Sequence, residues 1–119
     1  MPAAVQNITI EQGATWPWTL ELHSASEAGP VLDLTGYTAH MQVRSTVDSA
    51  TVLTELSTSN GRITITAGTG LIELLLTAEQ TAALNFESAV YDLELRSADG
   101  YVLRLFKGEI TLDPEVTRE

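Results

Sequence analysis

The residues whose types could support catalysis are few and far apart in the chain. The two imidazoles, His23 and His40, fall on polar positions of two segments in which apolar residues recur at every second position. If their strands were neighbours, the two histidines would bind a metal together with a third ligand, for which Asp33 is the candidate. The alternative, which the alternation favours, is two solvated histidines on strand faces. Because the chain has no cysteine, thiol nucleophiles, thiolate metal sites and disulfides are excluded.

Carboxylates are abundant, with 16 Asp and Glu against 6 Lys and Arg in 119 residues. Most of them lie at polar positions of alternating segments or in turns, where a carboxylate is normally a solvated surface charge and not an acid–base catalyst. The sequence has no Gly-x-Ser-x-Gly elbow, no calcium-loop pattern and no glycine-rich phosphate loop followed by a helix. We therefore predict that the protein is not an enzyme and that it has no metal or cofactor.

The charge balance limits the classes of partner. A formal net charge of −10 argues against nucleic acid and against an anionic membrane surface, because both bind through clustered Lys and Arg. The N-terminal residues have no basic segment followed by an apolar one, and no apolar run approaches the ~20 residues of a membrane span. We expect a soluble protein that is not secreted through a signal of its own.

Aromatic and arginine residues are the candidates for an interface. Trp16 and Trp18 share one strand face with Leu20 and Leu22, so a core or interface role is favoured over an exposed platform for sugar rings. Pro17 has no N–H for a ladder hydrogen bond, which places its strand at a sheet edge or a bulge. Arginine suits bidentate contacts between proteins. The predicted interface residues are Trp16, Pro17, Trp18, Arg44, Arg104 and Arg118.

Alternation of apolar residues with frequent turn signals predicts the fold. We expect one domain over residues 1–119, an all-β antiparallel sandwich, immunoglobulin-like or jelly-roll-like, of about eight strands. A capping box at Thr77 and Gln80 predicts one short helix near 78–84. The pair at 60–61 predicts a two-residue hairpin and Gly108 predicts a bulge. The run at 71–76 predicts a strand that is buried on both faces or packed at the interior of a sheet. The terminal segments 1–10 and 113–119 are patterned as if a partner orders them.

Five blocks of the sequence, taken in order, resemble small tailed-bacteriophage and prophage proteins and the N-terminal domain of siphophage baseplate upper proteins. The blocks cover residues 12–15, 32–44, 74–84, 90–95 and 108–118. This resemblance implies a non-enzymatic virion structural protein, made in the host bacterial cytoplasm, that docks onto the tail or baseplate. Its partners would be other phage structural proteins and further copies of itself. The alternatives are a capsid decoration protein and a carbohydrate-binding module that uses Trp16, Trp18 and Tyr37 or Tyr101.

Overall fold

Nine strands, one α-helix and one turn of 3-10 helix (Ala67–Thr69) are the regular elements of the part of the chain that the computed structural model describes, residues 4–23 and 32–117. Arg118, one of the predicted interface residues, lies outside these residues. In chain order the elements are β1 (Ala4–Val5), β2 (Ile8–Glu11), β3 (Trp16–Glu21), β4 (Thr38–Arg44), β5 (Thr54–Ser57), β6 (Ile63–Thr66), β7 (Leu71–Leu76), α1 (Ala78–Ala82), β8 (Ser88–Arg96) and β9 (Val102–Asp113).

The strands form two sheets that enclose one hydrophobic core. The larger sheet has the order β1-β9-β8-β4-β5, with β2 also paired to β9, and the smaller sheet has the order β3-β7-β6. Only β1 and β2 run parallel to their neighbour β9; every other pairing among the described residues is antiparallel. The predicted all-β sandwich with one short helix is confirmed.

Alternation along the long strands sends every second side chain into the core, as predicted for β4 and β8. The run that forms β7 is the central strand of the smaller sheet, which agrees with one of its two predicted alternatives, but only one of its faces is buried. Ile72, Leu74 and Leu76 point into the core, whereas Leu75 is 46% exposed and Glu73 also faces solvent. The alternative of burial on both faces is wrong, because Leu75 is an apolar residue on the solvent side of the smaller sheet.

The helix α1 begins at the predicted capping box. Thr77 accepts a hydrogen bond from the Gln80 amide at 3.2 Å, and the Gln80 side chain accepts one from the Thr77 amide at 2.9 Å. The buried Thr81 hydroxyl then joins the helix to the turn after β2, since it accepts from Gly13 N–H and donates to the Ala14 carbonyl. Among the described residues, no helix is long and apolar enough to cross a membrane.

The turn after β5 does not close a hairpin within one sheet, contrary to the prediction. β5 belongs to the larger sheet and β6 to the smaller one, so the turn carries the chain across the sandwich. A type I′ turn needs positive φ at two residues, but only Gly61 (φ +80°) has it here and Asn60 does not. The Asn60 side chain instead accepts hydrogen bonds from the amides of Ser57 and Arg62.

Gly108 is not a bulge, since it pairs regularly with Tyr91. A Cβ at this position would lie 2.4 Å from the Gln6 carbonyl oxygen and 2.9 Å from Oδ1 of Asn7. The residue is therefore glycine because the N-terminal segment runs very close beside β9 there. β1 pairs with β9 before Gly108 and β2 pairs with β9 after it, and Ile10 of β2 is 2% exposed in the core.

Candidate functional site

The side chains that point away from the core on the larger sheet form one continuous surface, which we call the outer face. It crosses β1, β9, β8, β4 and β5, and it encloses a depression of about 1080 Å³. Its cations are Arg44, Arg96, Arg104 and Lys107, and its carboxylates are Glu55, Asp92, Glu94 and Glu109.

Strand pairing arranges the central charges of the outer face in rows. In one row, Arg104 of β9 lies beside Glu94 of β8, which lies beside His40 of β4. In the next row, Lys107 of β9 lies beside Asp92 of β8. In these two central rows, β9 is therefore a column of positive charge that runs next to a column of negative charge on β8, while Glu109 of β9 and Arg96 of β8 lie in the flanking rows.

A β-bulge in β9 brings the two cations of this column to the same face. Arg104 and Lys107 are three positions apart, so regular alternation would put them on opposite faces of the sheet. The register shifts between Leu93 and Glu94, which leaves Leu105 of β9 without a direct partner. Both cations consequently point outward and are exposed. Bulges re-aim side chains in this way next to functional surfaces.

The ion pairs within the outer face are loose. Nε of Arg104 lies 3.5 Å from Oδ2 of Asp92 and 3.9 Å from Oε2 of Glu94. The side chains are exposed by 52%, 39% and 31% respectively, so each pair stabilises the fold by at most about 1 kcal/mol. Among the described residues, Lys107 makes no ion pair. These charges contribute little to holding the fold together.

At the β4–β5 side the outer face is tied by hydrogen bonds. Nε2 of Gln42 donates to Oε2 of Glu55 at 3.0 Å. Arg44 donates to Oε1 of Gln42 at 2.8 Å and to the Ser49 carbonyl at 2.6 Å. Arg44 is thus held in place by neutral acceptors, and its positive charge is not neutralised by a carboxylate in the described residues.

The outer face is electrically neutral in a strongly acidic protein. It carries four of the chain's six Lys and Arg residues together with four carboxylates. The formal net charge of −10 therefore lies on the rest of the chain. Two exposed valines, Val5 (68%) and Val47 (83%), also line the depression.

The two histidines lie on different sheets, so the structure does not bring them together. His40 is on the outer face, whereas His23 follows β3 of the smaller sheet and contacts Oε1 of Glu21 at 2.9 Å. Asp33, the third candidate ligand, accepts hydrogen bonds from the amide and hydroxyl of Thr35, which lower the pKa of its carboxyl. No group of three or more His, Cys, Asp or Glu able to hold a metal occurs in residues 4–23 and 32–117.

The two tryptophans face the core and each other. Trp18 packs with its ring centroid 5.4 Å from Phe106 and 6.3 Å from Tyr91, and the Trp16 and Trp18 centroids are 6.0 Å apart. Both are half-buried, and with Pro17 they line a cleft of about 210 Å³ beside the N-terminal segment. Indoles engaged in this way do not present the exposed stacking surface that a sugar-binding platform requires.

Among the described residues Pro17 lies on a free sheet edge, which is one of the two positions predicted for it. The Leu75 amide of β7 donates a hydrogen bond to the Arg62 carbonyl at 2.9 Å, on the β6 side. In an antiparallel ladder, a residue directs its N–H and its C=O to the same neighbouring strand, so both groups of Leu75 point to β6. Pro17 is the β3 partner of Leu75, and its backbone nitrogen and carbonyl therefore point away from β7. The missing N–H of Pro17 therefore weakens this edge as a template for pairing with another strand.

The free edge of β5 is closed by side chains. The Glu55 carbonyl accepts hydrogen bonds from Nδ2 of Asn60 at 2.9 Å and from Nη1 of Arg62 at 3.0 Å. The Ser57 amide donates to Oδ1 of Asn60 at 3.0 Å. The Asn60 amide group thus takes the place of a neighbouring strand, which protects this edge from pairing with another chain.

The buried hydroxyls all serve structural hydrogen bonds. Burial raises the pKa of Tyr91 to about 12, and its hydroxyl donates to the Gln6 carbonyl. Ser57 and Thr81 are bonded to backbone or side-chain groups nearby. In the described residues, no buried side-chain nitrogen or oxygen lacks a partner. The interior therefore offers no unsatisfied polar group that is poised to act on a substrate.

The predicted interface residues fall in two separate places. Arg44 and Arg104 lie on the outer face, the segment 16–18 lies at the β3 edge, and Arg118 is outside the described residues. Their role in an interface stays a prediction. Sequence reasoning missed Lys107 as a partner of Arg104, because only the bulge puts both on one face.

Comparison with known proteins found little similarity. No family model matches the chain, and no curated protein matches it. Solved structures do match; among them is the crystal structure of CopC from Methylosinus trichosporium OB3b, at 17% sequence identity with a TM-score of 0.44. That match covers 95% of this chain and 89% of the other. No ligand or activity follows for this chain from a likeness of this size.

The resemblance to phage tail and baseplate proteins was wrong. The comparisons show no phage or baseplate similarity: no family model and no curated protein matches, and the solved structure described above is CopC. The assignment as a virion structural protein is withdrawn with it, together with its alternatives. The five blocks were misleading for a physical reason, because alternation, a capping box and turn glycines are what many β-sandwiches need and they do not identify a family.

Proposed function

We propose that the protein is a non-enzymatic, self-associating module that docks two copies of itself through the outer face. The observation that carries this proposal is the segregation of charge, which leaves the outer face neutral and the rest of the chain with the whole net charge of −10.

Like charges determine where two copies can meet. Contact through any acidic part of the surface brings negative charge against negative charge, which opposes association. At the outer face each copy offers as many cations as carboxylates, so opposite charges are available to both. Long arginine and lysine side chains fill a depression well, and water bridges complete contacts between polar surfaces.

A non-enzymatic role agrees with the state of the polar groups. The buried hydroxyls of Ser57, Thr81 and Tyr91 have structural partners, and the charges of the outer face are open to solvent. Catalytic sites instead concentrate perturbed groups in a cleft that excludes water. The arrangement suits recognition of another protein surface.

Sedimentation equilibrium of the purified chain tests the proposal. We expect a dimer whose dissociation constant rises with salt concentration, because salt screens exposed charges. Reversing the β8 column with Asp92→Lys and Glu94→Lys leaves six cations against two carboxylates, Glu55 and Glu109, on the outer face, and we expect this variant to be a monomer.

Glu21→Lys with Glu73→Lys is the matched control. It changes the net charge by the same amount, but on the outer side of the smaller sheet, and it should keep the dimer. Circular dichroism verifies that both variants fold. The proposal fails if the natural chain remains a monomer up to about 1 mM, or if both variants behave alike.

A further inference from the structure

We infer that two copies meet about a two-fold axis that lies parallel to the strands, midway between β8 and β9, so that Glu94 faces Arg104 and Asp92 faces Lys107 across the interface. This inference rests on the proposed function and specifies its geometry. Most homodimers have such a two-fold axis, in which the same patch of both copies is used.

The order of the charges selects this axis. Asp92 and Glu94 lie on β8, and their direct neighbours Lys107 and Arg104 lie on β9 in the same rows. Rotation about an axis parallel to the strands keeps each row and exchanges the two columns. Each carboxylate of one copy then lies opposite a cation of the other, and the symmetry repeats both contacts, which makes four ion pairs.

The other two-fold axis in the plane of the face gives repulsion. An axis perpendicular to the strands keeps the columns and exchanges the rows, so β8 lies over β8 of the second copy. Asp92 then faces Glu94, and Lys107 faces Arg104. The symmetry repeats both contacts, so four pairs of like charges oppose this arrangement.

The cations are available for contacts with a second copy. Nε of Arg104 is 3.5 Å and 3.9 Å from its two carboxylates, longer than the roughly 2.8 Å of a good charge-assisted hydrogen bond. Lys107 has no ion pair in the described residues. The bulge at Leu105 also makes sense in this geometry, since without it the two cations would not share a face.

Single cysteines test the geometry cleanly, because the natural chain has none. Val102→Cys places a thiol on β9 beside the inferred axis, at an exposed position (44%) outside the four ion pairs. With strands about 4.8 Å apart and facing sheets about 10 Å apart, the two thiols are within reach of a short bis-maleimide. The thiols of Glu55→Cys on β5 would be about 24 Å apart across the strands in the two copies, which is too far for the same bis-maleimide to join them.

The expected result is that Val102→Cys forms covalent dimers on the order of a hundredfold faster than Glu55→Cys, through the effective concentration in the dimer. Thr64→Cys on the outer side of the smaller sheet is the control for the choice of face, and it should react as slowly as Glu55→Cys. Sedimentation of each variant before reaction shows whether the dimer persists.

The other outcomes separate this inference from the proposed function. Fast cross-linking of Glu55→Cys but not of Val102→Cys would mean that the outer face is used about the perpendicular axis, so the inference fails and the proposed function stands. Fast cross-linking of Thr64→Cys alone, or monomers without cross-links, would overturn both.

Discussion

The Tyr91 side chain is buried between the sheets, and its hydroxyl donates to the Gln6 carbonyl of the N-terminal segment. Burial raises its pKa from 10.0 to about 12. As pH rises, the Tyr91 hydroxyl therefore loses its proton in the unfolded chain before it does so in the folded chain. The contribution of Tyr91 to stability is complete below pH 10 and is lost as pH rises through about 12.

We expect Tyr91→Phe to remove the part of the phenolate absorbance that appears near pH 12. At neutral pH the variant should lose about 1 kcal/mol of unfolding free energy, because one hydrogen bond is lost while the ring packing stays. Ultraviolet titration and urea unfolding measure the two effects. An unchanged absorbance near pH 12 in the variant would show that Tyr91 is not the group that titrates there.

Two glycines with positive φ differ in what surrounds them. At Gly70 (φ +65°) a Cβ would lie 2.6 Å from the Leu22 carbonyl oxygen, whereas at Gly61 (φ +80°) nothing lies within 4 Å. We expect Gly61→Ala to cost about 1 kcal/mol for the left-handed backbone alone. Gly70→Ala should lower the free energy of unfolding by about 1–3 kcal/mol more than Gly61→Ala, because the backbone at Leu22 must move away from the added Cβ. Equal losses in urea unfolding would contradict the close approach of Leu22 to Gly70.

At the scale of elements, the edge of β5 depends on one side chain. Asn60 bonds the Ser57 amide and the Glu55 carbonyl, which are the groups that a further strand would otherwise take. Asn60→Ala should lower the free energy of unfolding by about 1–2 kcal/mol, since several exposed or half-exposed hydrogen bonds are lost together. It should also increase aggregation on storage, because the edge is opened.

Ser59→Ala is the control for this variant. It removes a neighbouring hydroxyl that contacts Ser57 Oγ at 2.9 Å but leaves the Asn60 amide in place. Light scattering over time and chemical unfolding should show a clear difference between the two variants. If Ser59→Ala aggregates as fast as Asn60→Ala, the edge is not protected by the asparagine.

At the scale of the whole molecule, salt should act in opposite directions on the fold and on the dimer. A net charge of −10 opposes compaction of the monomer, so screening should raise its melting temperature. The same screening should weaken the ion pairs of the outer face. We expect dilute protein to melt a few degrees higher in ~0.5 M salt than in ~0.05 M, while the dimer fraction falls. A dimer that strengthens with salt would indicate an apolar interface elsewhere.

Several features could be read from the sequence because they depend on neighbours in the chain. Alternation predicts β4 and β8, since a half-buried strand must place every second side chain inside. The capping box predicts the start of α1, because both hydrogen bonds join residues three apart. The free edge at Pro17 follows from the missing N–H of a single residue.

Only the tertiary structure decided which strands pair and which charges meet. Arg104 and Lys107 share a face through a bulge whose register involves β8, about ten residues away in the chain. His23 and His40 were separated because β3 and β4 enter different sheets, which no local pattern specifies. The sequence by itself determined a β-sandwich with an acidic surface. The neutral outer face depends on contacts between distant residues, which local propensity does not encode.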